Sequence, residues 1–118
     1  MKMNYFVFGT NDMRAAEEFY DALLADAGPA KVQPTPRMTY WIGDDFAFAL
    51  ATPFDGQHAT IGNGTMVGFS LGSAEAVRRL HARALTLGGQ DEGKPAQRGP
   101  KFSSYVRDLD GNKICLSD

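Results

Sequence analysis

The sequence holds a single cysteine, Cys115, in 118 residues, so no internal disulfide can form. A chain of this length buries roughly two-thirds of its unfolded surface and can sustain a core without such staples. Histidine is scarce, with only His58 and His81, and no Ser-His-Asp arrangement can be proposed because any serine would have to choose between two unplaced histidines. Basic charge is not in excess: 12 Lys+Arg stand against 14 Asp+Glu, a net charge of -2, which argues against binding nucleic acid through a basic face. No run approaches the roughly 20 apolar residues of a membrane span, and Met1-Lys2-Met3-Asn4 leads into a strand-like segment rather than a signal-peptide core. A cytoplasmic protein without nucleic-acid or membrane partners is the expectation. The 43% hydrophobic and 22% charged composition is that of one ordinary globular domain.

What is present reads as two similar halves. Residues 3–8 are aromatic and β-branched, a strand signature; Asn11 or Asp12 can cap a helix whose apolar residues Ala16, Phe19, Leu23 and Leu24 recur at helical spacing; Gly28-Pro29 ends it. A proline-rich connection (Pro29, Pro34, Pro36) leads to a hairpin, 38–42 and 46–51 around Gly43-Asp44-Asp45. The second half offers a strand at 66–71, a helix capped by Ser73 with Val77, Leu80, Ala84 and Leu87 on one face, and a stop at Gly88-Gly89. A Pro/Gly-rich loop, 94–100, then precedes strands at 102–107 and 112–117 joined by Asp108-Leu109-Asp110-Gly111. An offset of 61 pairs Tyr5 with Met66, Phe8 with Phe69, Ala16 with Val77, Phe19 with Leu80, Leu24 with Leu85 and Gly28 with Gly89; an offset of 65 pairs Tyr40 with Tyr105, and one more residue pairs Ala49 with Cys115 and Leu50 with Leu116. The expected organisation is module 1 at about 1–52, a linker at 53–65, and module 2 at about 66–118.

Strand alternation divides these residues between two faces. Phe6, Phe8, Val67, Phe69 and Leu71 form a core set, joined by Trp41 and Val106. The opposite face carries Tyr5, Val7, Tyr40, Ala47, Ala49 and Ala51 in the first copy, and Met66, Gly68, Ser70, Tyr105, Arg107, Lys113 and Cys115 in the second. Small residues, aromatics and polar tips together are what a ligand-lining surface uses.

Phe19-Tyr20-Asp21-Ala22-Leu23 on the first helix and Tyr105 to Ile114 at the end, including Asp108-Leu109-Asp110-Gly111-Asn112, together with the repeat, resemble the vicinal oxygen chelate superfamily, which includes glyoxalase I, bleomycin-resistance proteins and extradiol dioxygenases. The resemblance covers essentially the whole chain and implies an α+β fold of two βαβββ-type modules whose mixed sheets form a cup, with helices outside. It also implies a homodimer, which strand edges in need of cover favour as well. Enzymatic members bind a divalent metal through four side chains, typically His and Glu. The matching positions are Tyr5, Ala49, Met66 and Cys115, and none is His or Glu.

Zinc, nickel or iron(II) sites of that type want imidazole nitrogen and carboxylate oxygen, which an alanine methyl and a thioether do not supply. The expectation is therefore a binding protein without metal or other cofactor, taking a small, partly aromatic organic ligand among Tyr5, Tyr40, Ala49, Met66, Tyr105, Arg107, Lys113 and Cys115, with Arg107, Lys113 or Arg37 selecting an anionic or polar group. The alternative is a divergent lyase or dioxygenase, metal-independent or with atypical ligands, in which Tyr5 or Cys115 transfers a proton. No catalytic residue is assigned, and whether a reaction occurs stays open. His81, beside Arg78, Arg79 and Arg83, is expected on the solvated surface, and His58 in a loop without a chemical role. Asp108 to Asn112 is read as a hairpin turn rather than a calcium loop, and Asn63-Gly64-Thr65 as a turn before a strand.

Overall fold

Both helices begin where a short polar side chain replaces a missing backbone partner. Asp12 accepts from the Ala15 N–H at 3.1 Å to open α1 (Met13–Leu23), and Ser73 accepts from the Ala76 N–H at 3.1 Å to open α2 (Ala74–Thr86). The computed structural model describes all of Met1–Asp118 and divides into two units, Met1–Thr60 and Ile61–Asp118. The segment expected as a linker is thereby shared: residues 53–60 belong to the first unit and 61–65 to the second.

The first unit runs β1 (Phe6–Gly9), α1, a 3-10 turn (Ala25–Ala27), β2 (Ala30–Thr35), β3 (Met38–Ile42) and β4 (Ala47–Ala51). Its sheet has the order β1-β4-β3-β2, with β1 parallel to β4 and the other pairs antiparallel. The core is aromatic. Phe6, Phe8, Phe48, Tyr20, Trp41 and Phe19 form a chain of ring contacts with centroids 4.6–6.0 Å apart. Asp21 holds this core to the helix: its Oδ1 accepts from the Trp41 indole N–H at 2.9 Å and its Oδ2 takes the Lys31 ammonium at 2.8 Å. Glu17, one turn earlier, accepts from the Thr39 hydroxyl at 2.7 Å. The Lys31 pKa is raised, first by its bond to Asp21 and further by Glu17, against the cost of burial. The Phe-Tyr-Asp motif thus consists of two core rings and the carboxylate that satisfies a buried indole.

The second unit repeats the topology: β5 (Met66–Ser70), α2, β6 (Gln90–Arg98), β7 (Lys101–Arg107) and β8 (Lys113–Ser117), ordered β5-β8-β7-β6 with β5 parallel to β8. The α+β class and the βαβββ unit order are as expected, but the core here is aliphatic, with Val77, Leu80, Ala84, Val106, Ile114 and Leu116 almost wholly buried. Ala16, Phe19 and Leu23 of α1 occupy the places of Val77, Leu80 and Ala84 of α2, so the helix register of the repeat holds. It slips at the helix end. Leu24 is buried whereas Leu85 is exposed, and the glycine in left-handed backbone after α2 is Gly88 (φ 97) rather than Gly89.

Two expectations change. The proline-rich stretches are not plain connections: Ala30–Thr35 and Gln90–Arg98 are edge strands. Pro34 lies in the irregularity of β2 between Val32 and Thr35, and Pro95 in that of β6 between Gly93 and Ala96, where a ladder tolerates a residue without an N–H. His81 is not solvated but 5% exposed. It sits four residues after Val77 in the buried stripe 77, 80, 81, 84, with Nε2 3.3 Å from Asp91 Oδ1 and Nδ1 without a partner. Burial lowers its pKa below 6.5, and the opposing attraction of Asp91 is smaller. No helix is long and apolar enough to cross a membrane.

Asp21→Ala, which leaves the buried indole N–H unpaired, should lower unfolding stability by about 1–3 kcal/mol in urea denaturation, and Asp21→Asn, which keeps an acceptor, should lose less. A depressed histidine pKa means that the unfolded state binds the extra proton, so the contribution of His81 is fully present above about pH 6.5 and lost as pH falls. Urea midpoints should drop between pH 6.5 and 5.5, and His81→Leu should flatten that slope; an unchanged slope would show that another group carries it.

Candidate functional site

The register of the two sheets sorts the sequence-predicted residues into rows, because side chains opposite one another across paired strands share a face. In the first unit, Val7, Ala49, Tyr40 and Val32 make one row across all four strands, flanked by Gly9, Ala51, Met38 and Thr35 on one side and Ala47, Ile42 and Ala30 on the other. Tyr5 joins this face by an edge-on contact with Tyr40, ring centroids 5.4 Å apart. The face carries no charged residue. The Tyr40 hydroxyl donates to Met38 Sδ at 3.8 Å, and its pKa is pushed above 10.0, first by burial and then by Tyr5, so it acts as a donor and not as a base near neutrality.

Arg37 lies off these rows. Its Nη1 donates to the Thr52 carbonyl at 2.9 Å and its guanidinium lies 5.5 Å from the Phe54 ring, so it braces the 52–54 segment. His58 has a structural partner, with Nε2 3.2 Å from Asn11 Nδ2. Asn11 also accepts from the Ala59 N–H at 2.7 Å and donates to the Ala59 carbonyl at 3.0 Å, a two-way clasp that ties residues 58–59 to the start of α1.

The second unit presents a different surface on the matching face. One row is Met66, Lys113, Arg107 and Gln90; the next is Gly68, Cys115, Tyr105 and Gly93; the third is Ser70, Ser117, Ser103 and Ala96. A side chain built on Gly68 would meet only Cys115 Cβ, at 4.0 Å, so the sheet is open above the β5–β8 pair. At Gly93 the opposite holds. A Cβ there would come 2.8 Å from the Tyr105 ring, which lies down on β6. Tyr105 is no free stacking platform as expected, because Arg98 and Lys113 already lie over its ring, each 5.2 Å from the centroid. Arg98 is held by the carbonyls of Ser103 and Lys94.

At the end of this sheet where β5 and β8 begin and β7 finishes, a concavity of ≈ 550 Å³ is lined by Ile61, Gly62, Asn63, Gly64, Thr65, Met66, Arg107 and Lys113. The wall formed by 61–65 was not anticipated. It is a tight turn closed by Thr65 N–H to Gly62 C=O at 3.2 Å, with Gly64 at φ 95, a backbone state that favours glycine. Arg107 and Lys113 flank the β7–β8 turn, where Asp108 accepts from the N–H groups of Asp110 and Asn112 and from the Asn112 amide, at 2.9–3.0 Å. The Asp-Leu-Asp-Gly-Asn sequence is thus a hairpin turn, as expected.

The four positions at which the resemblance places metal ligands do not fit a divalent ion. Ala49 has no donor atom, Met66 offers a thioether, Tyr5 is engaged with Tyr40, and Cys115 has Gly68 and Tyr105 as its cross-strand neighbours. No group of three or more His, Cys, Asp or Glu is arranged to hold a metal.

The family model of the Glyoxalase/Bleomycin resistance protein/Dioxygenase superfamily matches residues 2–116. A glyoxalase/bleomycin resistance protein from Albidiferax ferrireducens T118 superposes with a TM-score of 0.90 at 34% identity, over 98% of this chain and 96% of that one. Lactoylglutathione lyase from Agrobacterium tumefaciens (TM-score 0.72, 20% identity, 98% and 91% covered) and the fosfomycin resistance protein FosX from Mesorhizobium loti (TM-score 0.70, 15% identity, 98% and 89% covered) share the fold. Among curated proteins none matches the sequence. On the family match and the 34% identical relative, the chain belongs to the glyoxalase/bleomycin resistance protein/dioxygenase superfamily.

Proposed function

We propose that this chain binds a small, partly aromatic organic molecule through its own side chains, without a metal ion. The observation that carries this reading is the uncovered face of the second sheet. Gly68 leaves room above Cys115, Met66 supplies an adaptable apolar wall at 41% exposure, and Lys113 and Arg107 stand together at one end beside a concavity of ligand size. The apolar face of the first unit, with Tyr5 and Tyr40, is a second surface able to take hydrocarbon or an aromatic edge. The 34% identical relative, described as a glyoxalase/bleomycin resistance protein, supports a role in holding a small molecule.

A second reading is a divergent enzyme in which Tyr5 or Cys115 carries a proton; its motivation is that both are ionisable groups at former ligand positions. If a turnover is found and Tyr5→Phe and Cys115→Ala both leave it unchanged, that assignment is wrong.

The binding reading is tested with a panel of small aromatic molecules, anionic, neutral and cationic, followed by thermal unfolding. A ligand at 100 times its Kd should add about 2.7 kcal/mol of stability. Gly68→Val, which fills the open space on a strand, should leave the unliganded melting temperature unchanged or higher and abolish the ligand-induced rise. A panel without any stabilising compound, or a rise that survives Gly68→Val, would contradict the reading.

A further inference from the structure

The concavity beside Lys113 carries a definite charge count. Arg107 is neutralised locally: its Nη2 lies 3.0 Å from Glu92 Oε1, and its Nη1 donates to the Gly111 carbonyl at 2.9 Å. The Asp108 carboxylate is taken up by the N–H groups of its own turn. Arg98 spends its guanidinium on two backbone carbonyls and does not line the concavity. Lys113 pairs with no carboxylate; its ammonium rests over the Tyr105 ring, a contact that leaves its N–H donors directed elsewhere. The lining therefore holds one uncompensated positive charge.

Around that charge the lining is of two kinds. Asn63, at the first corner of the Gly62–Thr65 turn, is exposed and contributes an amide donor, and Thr65 a hydroxyl. Ile61 and Met66 are the apolar members, 46% and 41% exposed. One ammonium with neutral donors matches a single negative charge, and two flanking apolar side chains match a hydrocarbon or ring attached to it. A dianion would leave one charge uncompensated beside Glu92.

We infer that this concavity is the subsite for a carboxylate, and that the ligand is a small organic monocarboxylate whose apolar body lies against Met66 and Ile61. This rests on the binding reading above and narrows it to a chemical class. Glu92 sets the preference: by neutralising Arg107 it keeps the subsite at one charge and turns away dianionic groups.

The test is a titration of 15N-labelled protein, followed by amide shifts, with phenylacetate, its neutral isostere phenylacetamide, and phenylphosphonate at pH 8, where it is a dianion. Phenylacetate should shift the amides of Asn63, Gly64, Thr65 and Lys113 and bind about tenfold tighter than phenylacetamide; Lys113→Met should remove that advantage. Glu92→Gln frees a second cation and should improve phenylphosphonate binding by roughly five- to tenfold relative to phenylacetate. If phenylacetamide binds as tightly as phenylacetate, or if Lys113→Met retains the advantage with its amide spectrum otherwise intact, the carboxylate assignment falls while small-molecule binding stands. If Glu92→Gln leaves the phosphonate-to-carboxylate ratio unchanged, the role of Glu92 falls. If none of the three probes shifts the 61–66 and 105–115 amides, the subsite itself is overturned; binding of other aromatic molecules over Gly68 would still uphold the broader reading.

Discussion

Each sheet is organised around the strand that joins its one parallel pair to its antiparallel ladder, β4 between β1 and β3 and β8 between β5 and β7. The pleat then leaves such a strand no freedom: alternate residues go to the helix side or to the opposite face, and a slip of one residue would exchange the two sets. On β8, Ile114 and Leu116 are buried in the core while Lys113, Cys115 and Ser117 take the other face. On β4, Phe48 and Leu50 take the helix side and Ala47, Ala49 and Ala51 the other, where Ala49 and Ala51 are themselves buried. Tyr40, Met66, Tyr105, Arg107, Lys113 and Cys115 are placed by this register, on a central strand or across from one, whereas Tyr5 and the 61–65 turn lie outside it.

The same constraint, applied twice to diverged sequences, gives two faces of opposite character. The first is uncharged and formed of alanines, valines, tyrosines and a methionine; the second carries two cations, a thiol and a row of serines. The cores diverged as well. Six aromatic rings in the first unit, pinned to α1 through Asp21, correspond to mainly aliphatic packing under α2, where His81, with one unpartnered nitrogen, stands at the place of Tyr20 and Ala82 at that of Asp21. A common backbone plan has thus been filled by two independent solutions, and only the second concentrates charge.

Much of this was legible from period-two and period-3.6 patterning. Ala16, Phe19 and Leu23, Val77, Leu80 and Ala84, and the alternation of 47–51 and 113–117 are all visible in the sequence, and Asp12, Ser73 and the glycine turns mark the boundaries. The edge strands β2 and β6 were hidden because Pro34 and Pro95 argue against a ladder, and only the observed bulges show how they are accommodated. His81 follows Val77 by four residues, a spacing that places it on the buried stripe, although its arginine neighbours point to solvent. The wall at 61–65 was out of reach for another reason: its approach to Lys113 depends on the parallel pairing of β5 with β8, a long-range contact that no local pattern announces. The occupation of Tyr105 by two cations is equally invisible, since Arg98 reaches it from another strand.

The functional account turns on the positions that the central strands offer to a ligand. At the positions where the family resemblance places nitrogen and oxygen donors, this chain has Ala49 and Cys115 on β4 and β8, Tyr5 just before β1 and Met66 at the start of β5. In the proposed reading, recognition falls to Lys113, the turn before β5 and the open surface above Gly68. The most direct measurement is elemental analysis of untagged protein purified without chelator or metal-affinity resin. The account predicts transition-metal content far below one ion per chain and ligand binding that is insensitive to added zinc, nickel or iron(II); a tightly held metal at about one per chain would contradict it.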